Sequence, residues 1–568
     1  MASKTGHSIV IEQLLADGID HMFGNPGTVE EGFLDALRDY PQMRYVLTLQ
    51  ESVAVTIADG YARATRRPAL VQLHSTPGVG NGIGALYQAM RGHAPLVVIG
   101  GDAGIRYQAM DAQMAGDLVA MAEPVTKWST MVTDPSSLLR VLRRAIKTAA
   151  TPPTGPVYVC LPLDVLDAPA VEEVRPTSIP ATRVAPEPEL VARAAAMLAG
   201  ARRPMVYAGD GVAFSGAQES LARVAELLGA EVWEADAGEV NMSYRHPLYQ
   251  GMTGHMFGYH SLPVTRRGDV NLVCGTYVLP EVFPELGPIF APGSRCIHID
   301  LDLDQIARNH PVDLGMLGDP QLALTALAEA LEGAMTQAQR QAARERLAGL
   351  ARAREERRAR ELEEDRKLDG AVPLHMAPFA RELVRCLPPD AVVFDEALTA
   401  SPALTRYLEP CLPGRYFLTR GGSLGVGFTG TIGAKLANPA KTVIGFSGDG
   451  GSMYTIQALW TAARHGLDVK FVVCNNGSYR LLQLNIDAFW QERGMARHDY
   501  PLCFDLSSPP IRFDELARGM GVPAARVERP EEIAPAIQQA LGSGGPFLID
   551  LVLEGDVHPE RIGNTCGQ

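Results

Sequence analysis

The sequence predicts an α/β protein built from three doubly wound parallel-sheet units, and three observations carry that expectation. Short apolar runs of strand length alternate with helical stretches along most of the chain, the pattern of parallel strands joined by crossover helices. The 568 residues exceed what one hydrophobic core organises. A proline-rich stretch and a long charged stretch divide the alternation into three blocks. The units are expected over residues 1–170, 188–335 and 371–554, with a charged helical linker over 336–370 and a tail over 555–568.

The first block, Ser8 to about Leu166, has its strands in HMFGNP, YVLTLQ, ALVQLH, PLVVIGG and GPVYVCLP. Pro169, Pro176, Pro180, Pro186 and Pro188 then mark a linker. The second block begins near Glu189, with strands in PMVYAGDG, EVWEADA, VNLVCG and CIHIDLD. Its Gly209-Asp210-Gly211 echoes a nucleotide-binding turn but lacks the full GxGxxG pattern, so it is read as a structural turn. Acids interleave with arginines over Thr336 to Lys367, which fits a solvated helix bridging two units. The third block starts near Leu374 and takes its strands from AVVFDEA, RYFLTRGG, TVIGFSGDGG, KFVVCNN and PFLIDLVL. First and third blocks share this alternation without sequence repetition.

Composition narrows the function. The net charge of −14 argues against nucleic acid or an anionic membrane as partner, and no apolar run is long enough to span a bilayer. The eight cysteines form no CxxC pair and read as buried thiols of a reducing cytoplasm. The start of the chain enters the amphipathic SIVIEQLLADGI without a signal-peptide pattern.

The third block carries the strongest chemical signal. Gly448-Asp449-Gly450-Gly451 ends one strand and Asn475-Asn476 ends the next, with a crossover helix expected over Tyr454–His465. Parallel strand ends lie side by side, so Asp449 and Asn476 can meet at the carboxyl edge of the sheet. A carboxylate and an amide oxygen suit Mg²⁺, which keeps positions for phosphate oxygens. Gly450 and Gly451 allow the backbone to approach a diphosphate at a helix N-terminus.

In the first block, Glu51 follows an apolar strand and opens an apolar helix, placing a buried acid at a strand end. A dipole-stabilised helix-start acid is the alternative. His74 ends a strand before a Ser-Thr-Pro-Gly turn, where it either meets a substrate or bonds a turn carbonyl. Thr28 precedes Val29-Glu30-Glu31 and fits a capping box. Gln113 reads as a partly buried amide on a helix. Leu481, Leu482, Asn485, Ile486, Phe489 and Trp490 form a stripe that suits a bulky acyl group or a packed core.

The blocks GNPGT (Gly24–Thr28), LQES, ADGYAR, LHSTPGVGN, GPVYVCLP, GDGGSMYTIQALWTAA and NNGSY resemble the thiamin-diphosphate-dependent 2-keto acid decarboxylase and acetolactate synthase superfamily, in particular its benzoylformate decarboxylase branch. The resemblance implies thiamin diphosphate and Mg²⁺ as cofactors and a role for each matching residue. Glu51 would partner the pyrimidine N1′, with Asn25, Pro26 and Asn81 near the cofactor. Leu424 would be the apolar wedge beneath it, with the Gly422 carbonyl near its 4′-amino group. Asp449, Asn476 and the Ser478 carbonyl would ligate Mg²⁺. Gly448, Gly450, Gly451, Tyr454, Tyr479 and Thr399 would lie near the diphosphate. Thr28 and His74 would face the substrate, as would Gln113, which sits where acetolactate-synthase-like relatives often carry a glutamine. Leu481 and Asn485 would line the substrate pocket. The second histidine expected from the middle domain is missing from GTYVLPEVFPEL (Gly275–Leu286). The implied reaction is non-oxidative decarboxylation of a 2-keto acid, bulky or aromatic such as benzoylformate, to an aldehyde and CO₂. Carboligation to an acyloin or acetolactate, and 2-hydroxyacyl-CoA cleavage, are alternatives, as is a catalytically silent binding protein. Because Glu51 and Asp449 belong to different units, the family pattern implies a cofactor held across a subunit interface in a homo-oligomer, a dimer of dimers.

Overall fold

Strands such as VYVCLP (Val157–Pro162) and KFVVCN (Lys470–Asn475) are buried at every position, as near-continuous apolar runs are when helices cover both faces of a parallel sheet. The computed structural model describes residues 4–235, 237–253, 256–278 and 281–554. The expected tail over 555–568 with Cys566, the first three residues, and Leu279 and Pro280 of the histidine-free stretch lie outside the described residues.

The first unit contains β1 (His21–Gly24), β2 (Arg44–Leu47), β3 (Ala69–Leu73), β4 (Leu96–Asp102), β5 (Ser129–Met131) and β6 (Val157–Pro162). They form a six-stranded parallel sheet in the order β2-β1-β3-β4-β6-β5. The middle unit contains β7 (Pro204–Ala208), β8 (Glu231–Glu234), β9 (Tyr249–Met252), β10 (Val270–Cys274), β11 (Arg295–Asp300) and β12 (Leu314–Leu317). Its order, β12-β11-β10-β7-β8-β9, is that of a Rossmann sheet. The third unit contains β13 (Val392–Glu396), β14 (Tyr416–Leu418), β15 (Val443–Gly448), β16 (Lys470–Asn475), β17 (Ala524–Val527) and β18 (Phe547–Val552). Its order, β14-β13-β15-β16-β18-β17, repeats that of the first unit.

Five helices join these sheets and carry or brace the candidate residues: α1 (Glu51–Thr65), α2 (Ser75–Arg91), α3 (Gln337–Arg366), α4 (Val426–Ala437) and α5 (Arg480–Glu492). Helix α1 crosses α4 almost backbone to backbone. A Cβ on Gly60 would stand 2.4 Å from the Gly430 carbonyl oxygen, and one on Gly433 2.1 Å from that of Ile57. First and third units share one apolar cluster here, with Val53, Ile57, Phe428, Ile432 and Phe471 among its members. Helix α3 starts in a capping box, with Thr336 Oγ1 accepting from the Gln339 amide at 3.3 Å and Gln339 Oε1 from the Thr336 amide at 2.8 Å. It ties the middle unit to the third: Arg346 donates to the Leu228 carbonyl at 3.1 Å, and Asp365 pairs with Arg406 at 2.6 Å.

Two local features differ from the sequence expectation. Strands β5, β9, β12 and β17 were not expected; they are edge strands of three or four residues that are short or only partly buried, such as STM, intermediate throughout, and LGML, buried at alternate positions. The crossover after Asp449 is not one helix over Tyr454–His465. A single turn over Asp449–Ser452 is followed by a helix over Ala458–Arg464. Between them the chain is drawn to the turn before α4, where Thr455 Oγ1 donates to the Gly425 carbonyl at 2.6 Å. Gly209-Asp210-Gly211 is occupied within the fold, since both Asp210 oxygens accept from the Gly238 amide at 2.9 Å. A cavity of about 900 Å³ lies at the junction of the three units and contains none of the candidate residues. Much of its polar lining is engaged internally: Arg66 with Glu239, Lys127 with the Thr151 carbonyl, and Asp210 with Gly238.

Candidate active site

Reversal of strand order creates a crevice at the carboxyl ends of the two strands flanking it. In the first unit those strands are β1 and β3, and the candidates collect there. Gln50 caps α1 by accepting from the Val53 amide at 3.2 Å, which fixes Glu51 as the first helical residue, 7% exposed. Asn81 on α2 donates to Glu51 Oε2 at 3.0 Å, and Asn25, after β1, reaches Oε1 at 3.5 Å. His74 follows β3 at the cap position of α2 and lies against the loop after β1 so closely that a Cβ on Gly27 would overlap its ring at 2.0 Å. Its Nδ1 is 2.9 Å from Glu30 Oε2, while Glu30 Oε1 accepts from the Gly101 amide at 3.0 Å. Burial pushes the Glu30 carboxyl above its usual range, against the opposing pull of His74. Pro26 and Thr28 stand exposed beside this group.

The corresponding strand ends of the third unit, β13 and β15, gather the second group. The Asp449 carboxylate is 4% exposed and accepts three backbone N–H groups, from Gly450 at 2.7 Å, Asn476 at 3.1 Å and Gly477 at 2.7 Å. Burial raises its pKa, and these bonds oppose the rise. Asn476 Oδ1 accepts from the Ser478 amide at 3.1 Å, and the Ser478 carbonyl accepts from the Arg480 amide at 2.9 Å. Asp449, the Asn476 side-chain oxygen and the Ser478 carbonyl thus lie on neighbouring, hydrogen-bonded turns and supply an all-oxygen set, the chemistry of a hard divalent cation. Gly448 borders open space, and the Tyr479 ring covers Gly450. These residues fit Mg²⁺ and a diphosphate. Gly422 and Leu424 precede α4, with Gly422 exposed and Leu424 partly so. Tyr454 is 58% exposed, and the turn carrying Thr399 packs against α5, on which Leu481 and Asn485 are partly buried.

Two expectations are corrected. Thr28 caps nothing: it is the first residue of a short 3₁₀ turn whose cap position is Gly27, without a side-chain bond. Gln113 is not a buried helical amide but stands exposed in a turn before the helix Leu118–Ala122. That turn is tethered by Thr76 Oγ1 to the Met114 carbonyl at 2.8 Å. Sequence reading missed Glu30 and Glu396. The signal for Glu396 was present, because AVVFDEA ends an apolar parallel strand in an acid, as does the strand before Asp449.

Three family profiles match the chain in order. "Thiamine pyrophosphate enzyme, N-terminal TPP binding domain" matches residues 4–121, the central domain 191–327, and the C-terminal TPP binding domain 399–551. The chain is 32% identical to benzoylformate decarboxylase of Pseudomonas aeruginosa, covering 96% of this chain and 98% of that one. It is 29% identical to an acetolactate synthase of Mycobacterium bovis, covering 97% and 88%. A solved structure, the thiamine diphosphate-dependent 4-hydroxybenzoylformate decarboxylase of Rhodococcus jostii RHA1, superposes with a TM-score of 0.83 at 27% identity, covering 97% of this chain and 99% of that one.

Proposed function

Since this chain belongs to the thiamine pyrophosphate enzyme family, we propose that it decarboxylates a 2-keto acid to an aldehyde and CO₂ without oxidation, with thiamin diphosphate and Mg²⁺ as cofactors. The observation that carries this reading is the buried Glu51 near His74, both against Gly78, with the His74 imidazole held by Glu30: an acid and an oriented imidazole at one strand-end crevice. Glu51, oriented by Asn81, would meet the pyrimidine ring nitrogen. Asp449, the Asn476 side-chain oxygen and the Ser478 carbonyl would hold Mg²⁺, which would supply charge for the diphosphate. Leu424 would supply an apolar contact to the cofactor. When bound, the cofactor supplies the carbon nucleophile and the electron sink for the charge left as CO₂ departs. Glu30 holds His74 through Nδ1 and so leaves Nε2 as the nitrogen for substrate; with a proton on Nε2 the ring can donate to the substrate carboxylate or deliver that proton to carbon. Thr28 stands exposed beside it. The partly apolar face of α5 with Leu481 and Asn485 favours a bulky or aromatic acyl group. The two groups sit on different units, and a homo-oligomer, a dimer of dimers, completes each site.

Carboligation is the second reading, supported by the resemblance to acetolactate synthases and by the histidine-free stretch Gly275–Leu286. One assay separates the two. Aromatic, branched and short 2-keto acids are incubated with protein, thiamin diphosphate and Mg²⁺, with and without added aldehyde, and CO₂, free aldehyde and coupled product are measured. Stoichiometric aldehyde from an aromatic acid is the expected result. Coupled product as the main outcome, even without added aldehyde, would replace decarboxylation with carboligation.

A further inference from the structure

Glu396, the last residue of β13, is 1% exposed and, among the described residues, pairs with no charged side chain that could neutralise it. Its oxygens instead join two parts of the candidate site. Oε1 accepts from the Gly425 amide at 2.7 Å, and Oε2 accepts from the Gly427 amide at 2.8 Å and from Ser447 Oγ at 3.0 Å. Gly425 and Gly427 open α4 immediately after Gly422 and Leu424, and Ser447 lies two residues before Asp449. Gly451 closes over the same group: a Cβ there would stand 3.2 Å from Ser447 Oγ and 3.8 Å from the Glu396 carboxyl carbon. Burial of a carboxyl is costly unless its oxygens are satisfied, and it pushes Glu396 up to about 7. A residue held at such cost, with three donors converging on it at the positive end of a helix, fixes the geometry of what it joins.

We propose that Glu396 is the positioning residue that sets the Gly422–Leu424 segment against the Asp449–Gly451 turn, so that cofactor affinity and turnover both depend on its two-oxygen clasp. The proposal rests on the cofactor assignment made for this site. A carboxylate accepts at both ends, whereas a glutamine of nearly the same volume accepts at one and presents an N–H₂ to a backbone N–H at the other. Glu396→Gln therefore opens one side of the clasp without emptying the space.

The test uses the full chain freed of cofactor, titrated calorimetrically with thiamin diphosphate and Mg²⁺ and assayed for CO₂ release. Glu396→Gln is expected to weaken cofactor binding by about ten-fold or more and to lower kcat, with the thermal midpoint of the cofactor-free protein little changed. Ser447→Ala, which removes one of three donors, gives about a three-fold loss in the same direction. In a Leu424→Ala background, Glu396→Gln costs clearly less kcat than it does alone, because both changes act on one segment. Binding and kcat within about two-fold of the parent in Glu396→Gln, or full additivity with Leu424→Ala, overturns the proposal. If Glu396→Gln does not fold, Ser447→Ala decides, and parent-like behaviour there overturns it. A parent that binds no thiamin diphosphate fails the cofactor assignment and this proposal together. A binding parent with unaffected variants fails this proposal alone.

Discussion

Four buried carboxyl groups, Glu30, Glu51, Glu396 and Asp449, lie at strand or helix ends of the two crevices, and each is distinguished by what donates to it. Glu51 is met by side-chain amides, Asp449 by backbone N–H groups, and Glu30 by an imidazole and one backbone N–H. Glu51→Gln is expected to lower turnover by about 10²-fold or more while calorimetric binding of Mg²⁺ and the cofactor diphosphate persists. Near-parental kcat would remove Glu51 from its assigned role. Glu30→Gln should reduce kcat by about ten-fold and shift its pH profile, since an amide no longer fixes which imidazole nitrogen carries the proton. An unmoved profile would make Glu30 merely structural. Asp449 and Glu51 were legible as candidates because each stands inside a contiguous motif. Glu396 carried the same strand-end signal, but what it joins was not legible, because its partners lie 29 and 31 positions away. Glu30 had no such signal, and its partner His74 lies 44 positions away; over such distances sequence spacing says nothing.

At the scale of elements, the α1–α4 crossing is the tightest joint between the outer units. Gly60→Ala places a methyl group into the Gly430 backbone, and overpacking of this kind costs about 1–3 kcal/mol. The thermal midpoint should fall. Gly349→Ala on α3, with open space around the new methyl group, should leave it unchanged or raise it. Equal midpoints for the two variants would mean that the crossing yields freely. Helix α1 and the central strands were readable from sequence, because apolar runs buried on both faces leave a continuous signal. The edge strands carry half that signal, and β5 and β9 merged with loops. The break at Met453–Gln457 arises from a contact with Gly425, 30 positions away, that no local pattern encodes.

At the scale of the whole molecule, buried carboxyls tie stability to pH. Glu234 in β8 is fully buried and pushed up to about 7 by desolvation, although Tyr249 Oη and the Asn241 amide donate to it at 3.0 and 3.1 Å. Between its unfolded value, about 4.3, and about 7 the folded chain holds this proton and the unfolded chain does not. Its contribution therefore falls as pH rises through that window and is flat above it. Against Glu234→Gln, the parent should lose stability on the order of 3 kcal/mol from pH 4.5 to 7.5, read from thermal midpoints. A constant difference between the two proteins would show that Glu234 does not titrate there. The outer units, which repeat one strand order, hold unlike chemistry in matching topological slots. The crossover entering α1 carries the buried acid Glu51, while its counterpart entering α4 carries the apolar Leu424. Likewise the slot that ends in His74 on one side ends in Asp449 on the other. One scaffold used twice has thus divided its labour, and each half is free to vary its chemistry so long as the glycine seam where the twin helices touch is kept.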